Sequence, residues 1–180
     1  MRSWCERGLI AAGVMCLAWV GLHTADTAAF QRAQSAALER SLHTGSRDRP
    51  EGLVGRLEIP RLRLSVMVME GDDAKTLGRG AGHLRDSALP WEDGNTVITA
   101  HRDTFFRPLK DLQLGDEIRL TSLRGTFVYR VRAVRVVWPR DLSVMAPTPA
   151  SALTLITCYP FSYVGAAPTR FVVSAGREGV

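Results

Sequence analysis

The 180-residue sequence predicts a mainly β domain, a sandwich or a closed barrel with short helical turns, behind an N-terminal transmembrane helix and a helical stalk. Three observations predict it. Short β-branched or apolar runs recur from Leu57 to Ala175, broken by Gly, Pro and Asp, with only brief helical patterns between them. An uncharged apolar run stands near the N-terminus, and an Ala/Gln/Arg/Glu-rich stretch follows it. Many close-spaced strands without a long intervening helix fit a sandwich or a barrel. At 46% hydrophobic and 23% charged, the composition is globular and excludes wholesale disorder, collagen and a multi-span membrane protein.

The apolar run, Leu9–Leu22, extends weakly to Ala25 behind Arg2 and Arg7. As a helix, residues 8–25 would be about 27 Å long, at the short end for a bilayer span. The core of this run also fits a signal-peptide h-region, with Thr27-Ala28-Ala29 as the best cleavage site. Asp26 and the distance from the apolar run weaken that site and favour an uncleaved signal anchor over residues 1–25. Arginines on the short flank predict a single pass through the cell (inner) membrane, N-terminus cytoplasmic, with the rest extracytoplasmic or periplasmic. Residues 26–52 read as a stalk, with Phe30, Ala33, Ala37 and Leu38 at near-helical spacing, and a linker of breakers and charge, His43–Gly52. The folded domain is expected over 53–180.

Within that domain the predicted strands are Leu57–Ile59, Leu62–Met69, Thr96–Ala100, Glu117–Thr121, Thr126–Val137, Leu153–Thr157 and Phe171–Ala175. Phe127, Tyr129, Val131 and Ala133 alternate with Val128, Arg130 and Arg132, the period of a half-buried strand. Asp73–Leu77 and Arg107–Leu112 suggest short helical turns.

The net charge is +5, and apart from Lys75 and Lys110 every basic residue is an arginine, spread along the chain. No dense basic run marks a nucleic-acid arm, so a soluble basic surface is expected and no nucleic-acid partner. Three cysteines build no disulfide framework, and none has zinc spacing. The acids Glu70, Asp72, Asp73, Asp116 and Glu117 are scattered, so neither metal nor cofactor is expected. Cys5 and Cys16 belong to the membrane segment. Cys158 is the one thiol of the exported part, a liability there unless buried or used.

Cys158 ends the run Ala152–Thr157, and Pro160 stops the strand behind it. Arg170 opens the strand Phe171–Ala175; antiparallel pairing across the loop 159–169 would set it opposite Cys158. His101 ends the strand Thr96–Ala100 in the same way. Strand ends are where loops build sites. A thiolate attacks a carbonyl, a histidine shuttles the proton to the leaving amine, and an arginine's N–H fork holds an oxyanion or a backbone carbonyl. Each residue also has a plain reading: a buried small thiol, a structural histidine, a surface arginine. His83 reads as structural. Asp103 fits a turn, or an orienting partner for an imidazole.

Thr154-Leu-Ile-Thr-Cys158-Tyr-Pro-Phe followed by Ala-Pro-Thr-Arg170-Phe-Val-Val resembles the signature of the sortases, membrane-anchored cysteine transpeptidases. Gly55-Arg-Leu-Glu-Ile-Pro60 resembles their opening strand, and Gly94-Asn-Thr-Val-Ile-Thr-Ala-His101-Arg-Asp-Thr-Phe-Phe their histidine segment. The blocks stand in order from Gly55 to Ala175, and Tyr-Pro-Phe is most similar to class D-like sortases, including those of Gram-negative bacteria. Ala100 departs from the family, which commonly has Gly there. The resemblance implies a closed sortase-type β-barrel. It also implies cleavage of a protein substrate at the Thr–Gly bond of a Leu-Pro-x-Thr-Gly-like C-terminal sorting signal through a cysteine thioester. A cell-wall precursor amine, a protein lysine or water would resolve the thioester. By position, Cys158 is the nucleophile, His101 the acid/base and Arg170 the substrate and oxyanion clamp. The thiol and imidazole act only in complementary protonation states, so the reactive pair is one microstate of a coupled system. The segment Val137–Ala150, with Trp138, Leu142 and Val144, either walls an apolar groove for the Leu-Pro part or packs as an ordinary loop. Two alternatives stay open: a peptidoglycan-directed thiol hydrolase or L,D-transpeptidase-like enzyme, and a non-catalytic membrane-tethered binding domain.

Overall fold

The computed structural model describes residues 2–45 and 52–178. Most of the expected linker, residues 46–51, lies outside them, as do the side chains of Arg2 and Cys5. The segments expected as anchor and stalk lie in one continuous helix, α1 (Arg2–Thr44). The strands are β1 (Leu53–Ile59), β2 (Leu64–Glu70), β3 (Ala81–His83), β4 (Asn95–Thr99), β5 (Glu117–Ser122), β6 (Gly125–Val137), β7 (Ala152–Tyr159) and β8 (Thr169–Arg177). A short helix, α2 (Ala74–Arg79), precedes β3, and 3₁₀ turns cover Pro60–Leu62, Arg107–Asp111 and Leu142–Met145.

The strands close in the order β1-β2-β3-β4-β7-β8-β6-β5, and the β1–β5 pairing seals the ring. The closed barrel that the resemblance implies is the architecture adopted, not a sandwich. Closure removes the unpaired edges that an open sheet would present. Alternation sets the inside: Phe127, Tyr129 and Val131 of β6 are buried while Arg130 and Arg132 face solvent. They join Leu57, Ile59, Ile98, Leu120, Leu155 and Val173 in one core, where each aliphatic side chain contributes about 1.5–3 kcal/mol. A register shift between Val131 and Ala133 bends β6 against β8. Burial raises the pKa of the Tyr129 phenol, so the ring stays neutral inside the barrel.

The expected Asp73 turn becomes α2, with the Asp73 carboxylate accepting from the Lys75 and Thr76 N–H groups as its N-cap. The Thr76 hydroxyl and those N–H groups hold that carboxyl below its ordinary pKa. Strand β3 is not predicted by the sequence: Ala-Gly-His is too short to show a period. Gly82 passes so close to the Gly71 carbonyl that no side chain fits there.

The stalk does not stand off from the barrel. Gln31 on α1 donates to the Arg79 carbonyl at 2.6 Å and accepts from the Met67 N–H at 2.8 Å. Leu38 is buried against Leu53 and Met67, and Glu39 pairs with Arg56 at 3.0 Å. Asp26 pairs with Arg79 at 3.1 Å, and that guanidinium lies over the Phe30 ring. The near-helical spacing of Phe30 and Leu38 is therefore a docking face.

Candidate active site

Three neighbouring strands, β4, β7 and β8, carry the predicted site residues at one end of the barrel. Cys158 and Arg170 are direct cross-strand partners in the antiparallel β7–β8 pair. Strand β4 runs parallel to β7 with Thr99 opposite Ile156, so two residues further on His101 comes level with Cys158. Leu155 of β7, Ile98 of β4 and Ala100 just after it belong to the core, so the pleat sends Cys158 and, continued past the strand end, His101 to the outer face. Arg170, opposite Cys158, shares that face. The half-buried thiol, the exposed imidazole and the half-buried guanidinium thus stand abreast at one rim.

Side-chain hydrogen bonds lock this alignment. The buried Thr157 hydroxyl donates at 2.7 Å to the carbonyl of Ala100, tying the residue before Cys158 to the residue before His101. One step back, Thr99 Oγ1 donates to the Ile156 carbonyl at 3.1 Å. The threonines of the Thr154-Leu-Ile-Thr157 run therefore do more than favour a strand. Thr154 Oγ1 likewise donates to Asn95 Oδ1, whose amide nitrogen donates to the Val144 and Ala146 carbonyls and holds the β6–β7 connection in place. Within that connection Val144 packs inward, and Trp138 and Leu142 stay exposed.

Arg170 Nη1 donates to the carbonyls of Ala167 and Thr169, at 3.2 and 3.1 Å. That fixes the fork, and among the described residues Nε and Nη2 make no hydrogen bond. Tyr159, Phe161 and Phe171 form an aromatic cluster beside the cysteine, with centroids 5.1–6.1 Å apart. Such pairs add about 0.5–1.5 kcal/mol each and anchor the loop that leaves Cys158. The Tyr159–Pro160 peptide is cis.

Arg102, next to His101, is a residue that sequence reading missed. It is buried, and its Nη2 donates to the carbonyls of Tyr163 and Gly165 while the guanidinium lies over the Tyr163 ring. The histidine turn and the β7–β8 loop are thus pinned together. A buried arginine in a polar turn has no local signature, since only its tertiary partners mark it.

Of the remaining candidates, His83, Asp116 and Glu117 have structural partners. His83 is buried, with Nδ1 3.1 Å from Glu70 Oε1 and Nε2 3.0 Å from the Ala88 carbonyl. Asp103 is exposed in the turn after His101. Asp116 is held by Arg61 through two hydrogen bonds at 2.5 and 2.6 Å, which keep its carboxyl below the ordinary carboxylate range. Glu117 pairs with Arg119 and Arg130.

Comparison with known proteins agrees with this architecture. The family profile described as "Sortase domain" matches residues 57–178. Sortase D of Bacillus subtilis (strain 168) is 41% identical over 124 residues, which cover 68% of this chain and 63% of that protein. Among solved structures, sortase A from Corynebacterium diphtheriae is similar with a TM-score of 0.66 at 33% identity, covering 75% of this chain and 65% of that one. Sortase C-1 from Actinomyces oris has a TM-score of 0.67 at 29% identity, covering 82% of this chain and 84% of that one. The chain thus spans just under two thirds of the length of the first two of these relatives. The profile spans the segment that carries the three strand ends, so the chain belongs to the sortase family, and its 41% identity to a Sortase D makes it a class D-like member.

Proposed function

We propose that this protein is a membrane-anchored cysteine transpeptidase that cuts a Leu-Pro-x-Thr-Gly-like sorting signal between Thr and Gly. The observation that supports the reading is the register of β4, β7 and β8, in which Cys158 pairs with Arg170 and the end of β4, two residues before His101, lies beside the end of β7. The Cys158 thiolate attacks the Thr carbonyl carbon, and the oxyanion that develops accepts from the Arg170 fork. The C–N bond breaks as His101 gives its proton to the departing amine, leaving a thioester on Cys158. An incoming amine loses a proton to His101 and attacks the thioester, and the thiolate leaves. Water in place of the amine gives hydrolysis instead. Helix α1 supplies the anchor: it is long and apolar enough to cross a membrane, and its residues 6–26 are exposed all round. Its basic flank favours a cytoplasmic N-terminus and an extracytoplasmic barrel.

The test is a quenched-fluorescent Leu-Pro-x-Thr-Gly peptide offered to the full chain in nanodiscs, with mass detection of the Cys158 thioester. Cleavage and the adduct are expected, and both disappear in Cys158→Ala. A Cys158→Ala variant with full activity would end the proposal.

A further inference from the structure

The route of α1 across the barrel sets where the active-site rim lies. Near its C-terminal end the helix touches the far end of the barrel, with Leu38 against Leu53 and Glu39 on Arg56. Gln31 then meets Met67 and Arg79, and Thr27 reaches the Gly78 carbonyl. Finally His23, Thr24, Thr27 and Ala28 line a cleft of about 590 Å³ whose other wall includes His101, Asp103 and Phe105. The helix therefore travels toward the catalytic rim as it runs back to its N-terminus. The apolar run begins at Leu22, one residue beyond the last wall residue of that cleft. At 1.5 Å per residue, the bilayer boundary falls within about one helical turn of the level of His101.

The same rim bears exposed apolar side chains. Trp138 follows Val137, the cross-strand partner of Arg170, and is 71% exposed; Leu142 in the same connection is 64% exposed. Tyr163 and Val164 tip the β7–β8 loop that Arg102 pins to the histidine turn, and Val164 is 94% exposed. Exposed Arg140 stands between Trp138 and Leu142 in sequence. Aromatic rings at headgroup level and arginine near anionic lipid are the pattern of a membrane interface.

We propose that the active-site rim rests on the bilayer, with Trp138, Leu142, Tyr163 and Val164 in its interfacial layer. The occupant is the lipid surface, because the apolar span of α1 continues from the same rim. The inference rests on the anchor reading above and adds to it an orientation: catalytic end down, far end with the β5–β6 turn away from the membrane. The cleft between α1 and His101 then opens at the headgroup level.

Depth quenching tests it. The full chain, with Cys5, Cys16 and Cys158 replaced by alanine, is labelled with a fluorophore at Val164→Cys, Leu17→Cys or Arg124→Cys, one copy per nanodisc, with and without nitroxide-bearing lipid. Leu17 lies in the apolar helix and Arg124 in the far turn. Strong quenching is expected at Leu17, and at Val164 quenching several-fold stronger than at Arg124. If Leu17 is quenched and Val164 no more than Arg124, the orientation is overturned and the anchor stands. No quenching at Leu17 overturns the anchor itself, and the orientation with it. Loss of the Val164 signal on adding excess sorting-signal peptide would assign the loop to substrate and overturn the lipid contact.

Discussion

Replacing Thr157 by valine changes one atom's chemistry at a place where the backbones leading to the two proposed catalytic residues, Cys158 and His101, are tied together. Its hydroxyl donates at 2.7 Å to the Ala100 carbonyl, and both residues are buried, at 2% and 4% exposure. Removing the donor leaves that carbonyl short of a partner away from water, at a cost of about 1–3 kcal/mol. That loss appears as reduced stability to urea. A separate effect is geometric, since His101 follows Ala100 and Cys158 follows Thr157, and the freed strand ends drift apart. A change in transition-state alignment worth 1.4 kcal/mol is about tenfold in rate, so kcat for the quenched peptide is expected to fall roughly 10- to 100-fold with KM little changed. Thr99→Val removes the half-buried neighbouring tie and should cost less in both readouts. A Thr157→Val enzyme destabilised by 1–3 kcal/mol with wild-type kcat would refute positioning by this bond. Unaltered stability would show that the bond contributes nothing in solution.

Arg170→Lys keeps the charge and loses the fork; kcat/KM is expected to drop by about 10²–10³, with a circular dichroism spectrum and unfolding midpoint like the parent's. Arg102→Met cuts the β7–β8 loop from the histidine turn, so KM should rise several-fold and limited proteolysis should begin between Phe161 and Ala167, seen by mass spectrometry. Asp116→Asn tests the Arg61 pair through pH. The Asp116 carboxyl is depressed in the folded state, chiefly by its hydrogen bond to Arg61. Its contribution is therefore present above the unfolded carboxylate value, about 3.9, and is lost as pH falls through the lower folded value. The parent's urea midpoint should decline over that acid window, and the variant should start lower at neutral pH, decline less and meet the parent at the acid end. Parallel curves would remove the pair from the acid limb.

Much of the site was legible in the chain because its signals are local. A proline behind Cys158, and apolar runs ending at His101 and beginning at Arg170, mark strand ends wherever the strands finally lie. The same holds for β6, whose alternation records which face is buried, and for the apolar span, whose length alone suits a bilayer. Other features depend on residues distant in sequence. Strand β3 exists only because β2 and β4 supply partners for three residues that carry no period of their own. Arg102 matters through carbonyls about sixty residues away, and Thr157 through a parallel neighbour nearly as distant. The stalk's apolar spacing says that one helical face is covered, but not that the barrel covers it. Sequence by itself thus determined every strand but β3, an apolar helix long enough to cross a membrane, and the chemical types at the strand ends, since these follow from periodicity and chain-local stops. Tertiary structure alone decided the register that aligns the ends of β4, β7 and β8, and the course of α1 along the barrel. Those depend on which hydrogen-bonding edges and apolar faces meet, and that is settled only when the ring closes.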